Sequence, residues 1–195
     1  MFTGIVQAVG EIVRVEPREQ GVRLQIDSGA LGLSDVAAGD SICVQGACLT
    51  ATTLNGKRFT ADVSKETLTC TAGLGAPGRV NLEKAMRLSD ALGGHLVTGH
   101  VDGVGEVVFF EKSAESKRLR VRVPREIARY VARKGSVTID GVSLTVNRVE
   151  GDAFEVNLIS HTLELTTLSR LAPGAKVNLE VDLLARYIER LLESR

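Results

Sequence analysis

Few side chains in this sequence can do covalent or proton chemistry. Three cysteines (Cys43, Cys48, Cys70) and three histidines (His95, His100, His161) are scattered over 195 residues. No CxxC pair is present, and the histidines lack ligand spacing on a recognisable helix, so neither a zinc site nor a disulfide framework is expected. An odd number of thiols fits a reducing cytoplasm. Cys48 lies in Gly46-Ala47-Cys48-Leu49-Thr50. Its thiolate can add to an electrophilic ring, or its thiol can shuttle a proton. The usual fate of a free cysteine is a small buried core residue, and Cys43 and Cys70, which match no site motif, are read that way. His100 can act as general acid or base near neutral pH. His95 is read as a hydrogen-bonded structural histidine. The Ser143 hydroxyl can activate a water or hold a ring; alternatively it bonds to backbone at a strand edge.

These residues sit in two copies of one module. Residues 3–13 lie over residues 98–108 with seven of eleven positions identical. The same offset of 95 superimposes Val44–Thr50 on Ile139–Thr145, Phe59–Leu68 on Phe154–Leu163, and Ser41 on Ser136. A constant offset over separate blocks marks a duplication. Because Ser41 has an identical counterpart, its claim to chemistry is the weakest. The copies differ at polar positions inside their most similar blocks: Cys48 against Ser143, Ile5 against His100, Asp62 against Asn157, and Lys65-Glu66 against Ser160-His161.

Within each copy, segments such as 3–15, 21–27, 41–54 and 57–64 are rich in Val, Ile, Thr and Phe, with partial alternation and Gly, Asn or Asp between them. This pattern predicts strands. Asn55-Gly56 predicts a type I′ hairpin turn. Ser28–Ala38 and Pro124–Lys134 predict short helices. About six strands per copy without a long helix predict a small closed barrel, which also removes exposed edges. The fold expected is all-β: two tandem six-stranded Greek-key barrels, over 1–88 and 89–182, with a C-terminal helix over 183–195. In that helix Leu183, Leu184, Tyr187, Ile188, Leu191 and Leu192 recur at helical spacing, and Asp182 is a plausible N-cap. The apolar stripe must pack on its own barrel or join copies of itself.

Charge narrows the function. The 24 basic and 24 acidic residues cancel, and no basic stripe with interleaved aromatics is present, so nucleic acid is not an expected partner. No apolar run is long enough to span a bilayer, and the N-terminal segment does not have the pattern of a signal peptide.

Met1–Val6, Gly46–Thr50, Lys65–Leu68, Gly93–His100 and Asp140–Thr145, in this order and spacing, resemble the α-type, two-barrel riboflavin synthases. The resemblance covers essentially the whole chain, duplication and C-terminal helix included. It implies a dismutation of two 6,7-dimethyl-8-ribityllumazine molecules, in which one gives a four-carbon unit to the other. The products are riboflavin and 5-amino-6-(D-ribitylamino)uracil, formed without cofactor or metal. It implies a homotrimer built on the C-terminal helices, with the active site between the N-barrel of one subunit and the C-barrel of another; association with lumazine synthase stays open. A duplicated module suits such a reaction, because holding two like reactants in register can contribute about 7–11 kcal/mol.

Carried onto this sequence, the resemblance places Gly4, Ile5, Val6, Cys48, Leu49, Thr50, Asp62, Val63, Ser64, Lys65, Glu66 and Thr67 around a first pocket. Gly99, His100, Val101, Lys134, Ser143, Leu144, Thr145, Asn157, Leu158, Ile159, Ser160, His161 and Thr162 surround a second. Cys48, His100, Ser143, Asp182 and Ser41 are the expected chemical groups, with Asp182 polarising Ser143 or Ser41 if the chain brings them together. Two other readings compete. A non-catalytic lumazine- or flavin-binding antenna of the same fold would return its ligand unchanged. A flavin-dependent reductase would oxidise a nicotinamide, although no GxGxxG follows a strand here.

Overall fold

Two tight turns organise the chain. At Gln45-Gly46 (φ 50° and 91°) and Asp140-Gly141 (φ 50° and 80°) both residues are left-handed, the combination that a two-residue type I′ hairpin requires. The computed structural model describes residues 1–113 and 115–193. The first turn splits the single strand expected over 41–54 into β3 (Ser41–Val44) and β4 (Ala47–Asn55). With β1 (Ala8–Arg18), β2 (Gly21–Asp27), β5 (Arg58–Ser64) and β6 (Gly78–Lys84), these close a barrel in the order β1-β2-β5-β4-β3-β6. The second copy repeats it with β7 (Gly103–Ser113), β8 (Ser116–Arg122), β9 (Ser136–Ile139), β10 (Val142–Glu150), β11 (Ala153–Ile159) and β12 (Lys176–Val181). Four α-helices accompany them among the described residues, α1 (Lys65–Cys70), α2 (Arg125–Ala128), α3 (Ser160–Leu165) and α4 (Leu183–Glu193), with a 3-10 turn over Thr167–Arg170.

Strand alternation decides where ligands can bind. Ile12, Leu24, Ile26, Ile42, Phe59 and Leu82 fill the first barrel, and Val107, Leu119, Val121, Ile139, Phe154 and Leu158 the second; all are fully buried. Burial of each such side chain stabilises by about 1.5–3 kcal/mol. Along β4 the buried Ala47, Leu49 and Ala51 alternate with Cys48 and Thr50, which face outward; β10 repeats this with Ser143 and Thr145. The interiors are packed core, and the chemical groups lie on the outer faces.

The barrels meet across a pseudo-twofold. Asn81 Nδ2 donates to the Asp140 carbonyl (2.9 Å) and Asn178 Nδ2 to the Gln45 carbonyl (2.8 Å). The Asn81 amide donates to Gln45 Oε1 (2.9 Å) and the Asn178 amide to Asp140 Oδ1 (2.8 Å). These bonds satisfy polar groups that would otherwise be buried unpaired. Where the first copy has Gln45, the second has a buried carboxyl, and desolvation pushes Asp140 up to about 7.

Several local expectations are corrected. Residues 28–38 form no helix: Gly29 is left-handed (φ 61°) and Ser28 Oγ donates to the Leu31 carbonyl, which closes a turn instead. In 124–134 the helix is only Arg125–Ala128. At the Asn55-Gly56 hairpin Gly56 is left-handed, but Asn55 and Lys57 are not, so the turn is not type I′. The first strand starts at Ala8 rather than at residue 3, because residues 1–5 cross to the other barrel.

Asp182 Oδ1 accepts from the Leu184 amide (3.0 Å), which caps α4. The helix turns its polar face to its own second barrel. Arg186 Nη2 bonds Asp102 Oδ2 (2.8 Å) and the His100 carbonyl (3.2 Å), and Glu189 bonds Tyr130 and Arg129. Leu184, Tyr187, Ile188 and Leu192 remain exposed. Of the two alternatives for the apolar stripe, packing on its own barrel is not the one observed.

Candidate active site

Two matching niches are built by exchange of segments between the barrels. Glu83 on β6 grips the N-terminal segment: its Oε1 accepts from the Thr3 amide and hydroxyl (both 2.7 Å), and its Oε2 from the Gly4 amide (3.1 Å). Glu180 on β12 does the same for Thr98 (2.8 and 2.6 Å) and Gly99 (2.9 Å). Burial raises the Glu83 carboxyl, and the Thr3 and Gly4 hydrogen bonds oppose the rise. So held, the Gly4 carbonyl accepts from the Ser143 amide and the Gly99 carbonyl from the Cys48 amide, each at 2.8 Å.

Glycine is required at both contacts. Gly4 (φ 76°) and Gly99 (φ 74°) are left-handed, and a Cβ would lie 2.6 Å from Ser143 Cβ or 2.7 Å from Cys48 Cβ. The expected grouping is therefore reversed. Gly99, His100 and Val101 line the Cys48 niche, while Gly4 lies against Ser143 and Val6 packs on the core of the second barrel.

The Cys48 niche is a cavity of about 240 Å³ lined by Ala47, Cys48, Glu66, Thr67, Cys70, Thr71, Gly99, His100 and Val101. Its floor is α1, capped by Ser64 Oγ, which accepts from the Thr67 amide (3.1 Å). Cys70, read from sequence as core, is exposed and borders this cavity. Asp62 faces outward nearby, but its carboxylate is taken by Arg23 in a two-pronged pair (2.7 Å each), which lowers its pKa. His100 is exposed, and its carbonyl is tied to α4 through Arg186.

The Ser143 niche has a different occupant. His95 Nδ1 lies 2.7 Å from Ser143 Oγ. The imidazole is buried, its Nε2 is without a hydrogen-bond partner among the described residues, and burial lowers its pKa while the charge of Asp182 pulls the other way. The Ser143 hydroxyl is thus hydrogen-bonded to His95, and Asp182, with its carboxylate capping α4, acts on the imidazole through its charge. His95 is hydrogen-bonded as expected, but its partner places it in the site.

Among the remaining candidates, Leu49, Val63, Leu144 and Leu158 turn their side chains into the barrel cores, which leaves their backbone for any ligand. Thr50, Thr145, Asn157, Ile159, Ser160, His161 and the left-handed Lys134 (φ 68°) are exposed. Ser41 borders a separate polar hollow with Gln7, Asp35, Lys84 and Arg87, away from the Cys48 cavity.

Comparison with known proteins agrees with this duplicated architecture. The lumazine binding domain family matches twice, over residues 3–85 and 98–182. Riboflavin synthase of Photobacterium phosphoreum is 47% identical over 98% of this chain and 89% of its own length. That of Mycobacterium bovis is 49% identical over 100% of this chain and 99% of its own. The chain belongs to the riboflavin synthase family. It is thus grouped with enzymes. The crystal structure of LumP complexed with riboflavin matches with a TM-score of 0.84 and 26% identity, over 93% of this chain and 99% of that one.

Membership focuses attention on the inequality of the niches. One offers a thiol beside an open cavity, the other a hydroxyl bonded to a buried imidazole. In the sequence His95 reads as structural only, because it lies before the second copy of the motif: position 96 aligns with Met1, so no first-copy residue contrasts with it. The signal available was its spacing, three residues ahead of Thr98, the residue that Glu180 grips.

Proposed function

We propose that this protein converts two molecules of 6,7-dimethyl-8-ribityllumazine into one riboflavin and one 5-amino-6-(D-ribitylamino)uracil by transfer of a four-carbon unit. The observation that carries the reading is the pair of equivalent niches with unlike chemical groups, each completed by a segment gripped by the other copy's glutamate. Like cradles suit like reactants; unlike groups suit donor and acceptor roles. The two ligand-binding modules are residues 1–88 and 89–182.

The Cys48 thiol adds to the electrophilic ring or passes a proton at the first niche. At the second, the Ser143 hydroxyl, oriented by His95, holds a ring or a water. The exposed hydroxyls of Thr50 and Thr145 supply hydrogen bonds to the ring edges. The amides of Cys48 and Ser143 are already given to Gly99 and Gly4, so they fix the walls rather than bind the ligand. Orientation of both reactants provides most of the acceleration.

The assembly is a homotrimer in the cytoplasm, with the exposed Leu184, Tyr187 and Ile188 of α4 as the contact and the N-barrel of one subunit facing the C-barrel of the next. Support comes from the placement of these side chains on the face of α4 that points away from the barrel. Association with lumazine synthase belongs to the same proposal.

The test is incubation of the purified chain with the lumazine alone. Riboflavin and the aminouracil in equal amounts, one of each for two lumazines consumed, support the reading. Lumazine returned unchanged assigns the protein to the antenna class.

A further inference from the structure

Cys43 and Cys48 face each other across β3 and β4. Their ladder position is of the wide-open kind. The Ser41 carbonyl and Gln45 amide bond toward β6 (3.2 and 2.8 Å), so by alternation Cys43 does as well; the Cys48 amide is spent on Gly99. Two opposed residues that exchange no backbone hydrogen bonds approach to about 4.5 Å between Cα atoms, with their side chains on the same face. That separation falls within the disulfide range of about 4.4–6.8 Å. Both thiols are on the outer face: Ile42 and Val44 belong to the barrel core, whereas Cys43 clusters with Phe2 and Val97, and Cys48 packs against that cluster.

We propose that Cys43 and Cys48 form a reversible disulfide when the protein meets a hydroperoxide, and that this bond withdraws the Cys48 thiol from its cavity and switches the site off. Cys48 borders the open cavity and meets the oxidant first. Its thiolate attacks the O–O bond and becomes a sulfenic acid; the expelled oxygen takes up the proton the thiol gave up and leaves as the alcohol of the hydroperoxide, or as water from hydrogen peroxide. The Cys43 sulfur then attacks that sulfur; its proton and the sulfenic hydroxyl leave as water, so two thiols lose two electrons to one peroxide. Burial pushes the Cys43 thiol far up, which makes Cys43 the resolving partner rather than the initiator. A bond that borders an open cavity is within reach of a reducing thiol, as a switch requires. The effect on turnover rests on the function proposed above; formation of the bond does not.

The full chain is treated with hydrogen peroxide, alkylated without reduction and digested with trypsin. Cys43 and Cys48 fall in one peptide, 24–57, and Cys70 in another, 66–79. The expected result is peptide 24–57 lighter by two hydrogens and unalkylated, with loss of nearly all turnover that dithiothreitol restores. Cys43→Ala is expected to keep its turnover before oxidation and, lacking a resolving thiol, to pass from the sulfenic to the sulfinic state under excess peroxide, so that dithiothreitol no longer restores it. A 24–57 peptide that stays fully alkylated, or a link from Cys48 to Cys70, overturns the proposal whether or not the enzyme reading holds. The peptide map decides even if Cys43→Ala does not fold. Reversible inactivation of Cys43→Ala equal to that of the parent would also overturn it.

Discussion

His95 Nδ1 stands 2.7 Å from Ser143 Oγ, inside a niche whose counterpart holds Cys48. A histidine at this place has a definite consequence for pH. Burial keeps its pKa below the ordinary 6.5, so the imidazole is neutral at pH 7 and can exchange a hydrogen bond with the serine. A depressed value means that its contribution to stability is complete above about pH 6.5 and fades as the pH falls toward the folded-state value. The rate should follow the same limb. His95→Gln is expected to lower kcat by about 100-fold with little change in KM, and to abolish the acid limb of kcat against pH. An unchanged limb in the variant would separate His95 from the chemistry.

Gly99→Ala tests the exchanged segments. The substitution forces a Cβ to 2.7 Å from Cys48 Cβ at φ 74°. The left-handed backbone alone costs about 1–2 kcal/mol. Thermal denaturation should show a destabilisation of at least that size, accompanied by loss of ligand binding at the Cys48 niche. Gly75→Ala, with open space around it, should do neither.

Asp140 should make stability pH-dependent near neutrality. Its carboxyl is raised from 3.8 to about 7 by burial, so the folded chain holds this proton more tightly than the unfolded one. The contribution is full below about pH 3.8 and declines as pH rises toward 7. Asp140→Asn keeps an oxygen for the Asn178 amide and copies the neutral Gln45. Denaturant titration should find the variant gaining on the parent by about 2–3 kcal/mol between pH 5 and pH 8.

Lys134 is left-handed where the first copy has Gly39 (φ 68° against 99°). In both places the amide reaches across to a strand carbonyl, Val146 or Ala51, at 2.8 Å. A lysine bearing this strain is a candidate for ligand contact. Lys134→Gly should raise stability by about 1 kcal/mol and weaken lumazine binding at the Ser143 niche. A variant both less stable and equally good at binding would remove Lys134 from the site.

The duplication, the two barrels and the C-terminal helix were legible from the sequence, because the repeat offset, strand alternation and helical spacing are local patterns. Three features were not. The exchange of residues 1–5 and 95–101 between barrels depends on Glu83 and Glu180, buried carboxylates far away in sequence that read simply as strand residues. The split of 41–54 at Gln45-Gly46 was hidden because glutamine is no turn signal, although its counterpart Asp140-Gly141 is one. Ser28–Ala38 was read as a helix by composition, whereas Gly29 and the Ser28 side chain favour a turn.

The doubled cradle is expected to hold two like molecules at once. Calorimetric titration with 8-ribityllumazine lacking the 6- and 7-methyl groups, which cannot transfer a four-carbon unit, measures this directly. Two ligands bound per chain are expected at saturation, falling to one when Gly99→Ala closes the Cys48 niche. A single ligand per chain in the unaltered protein would contradict it.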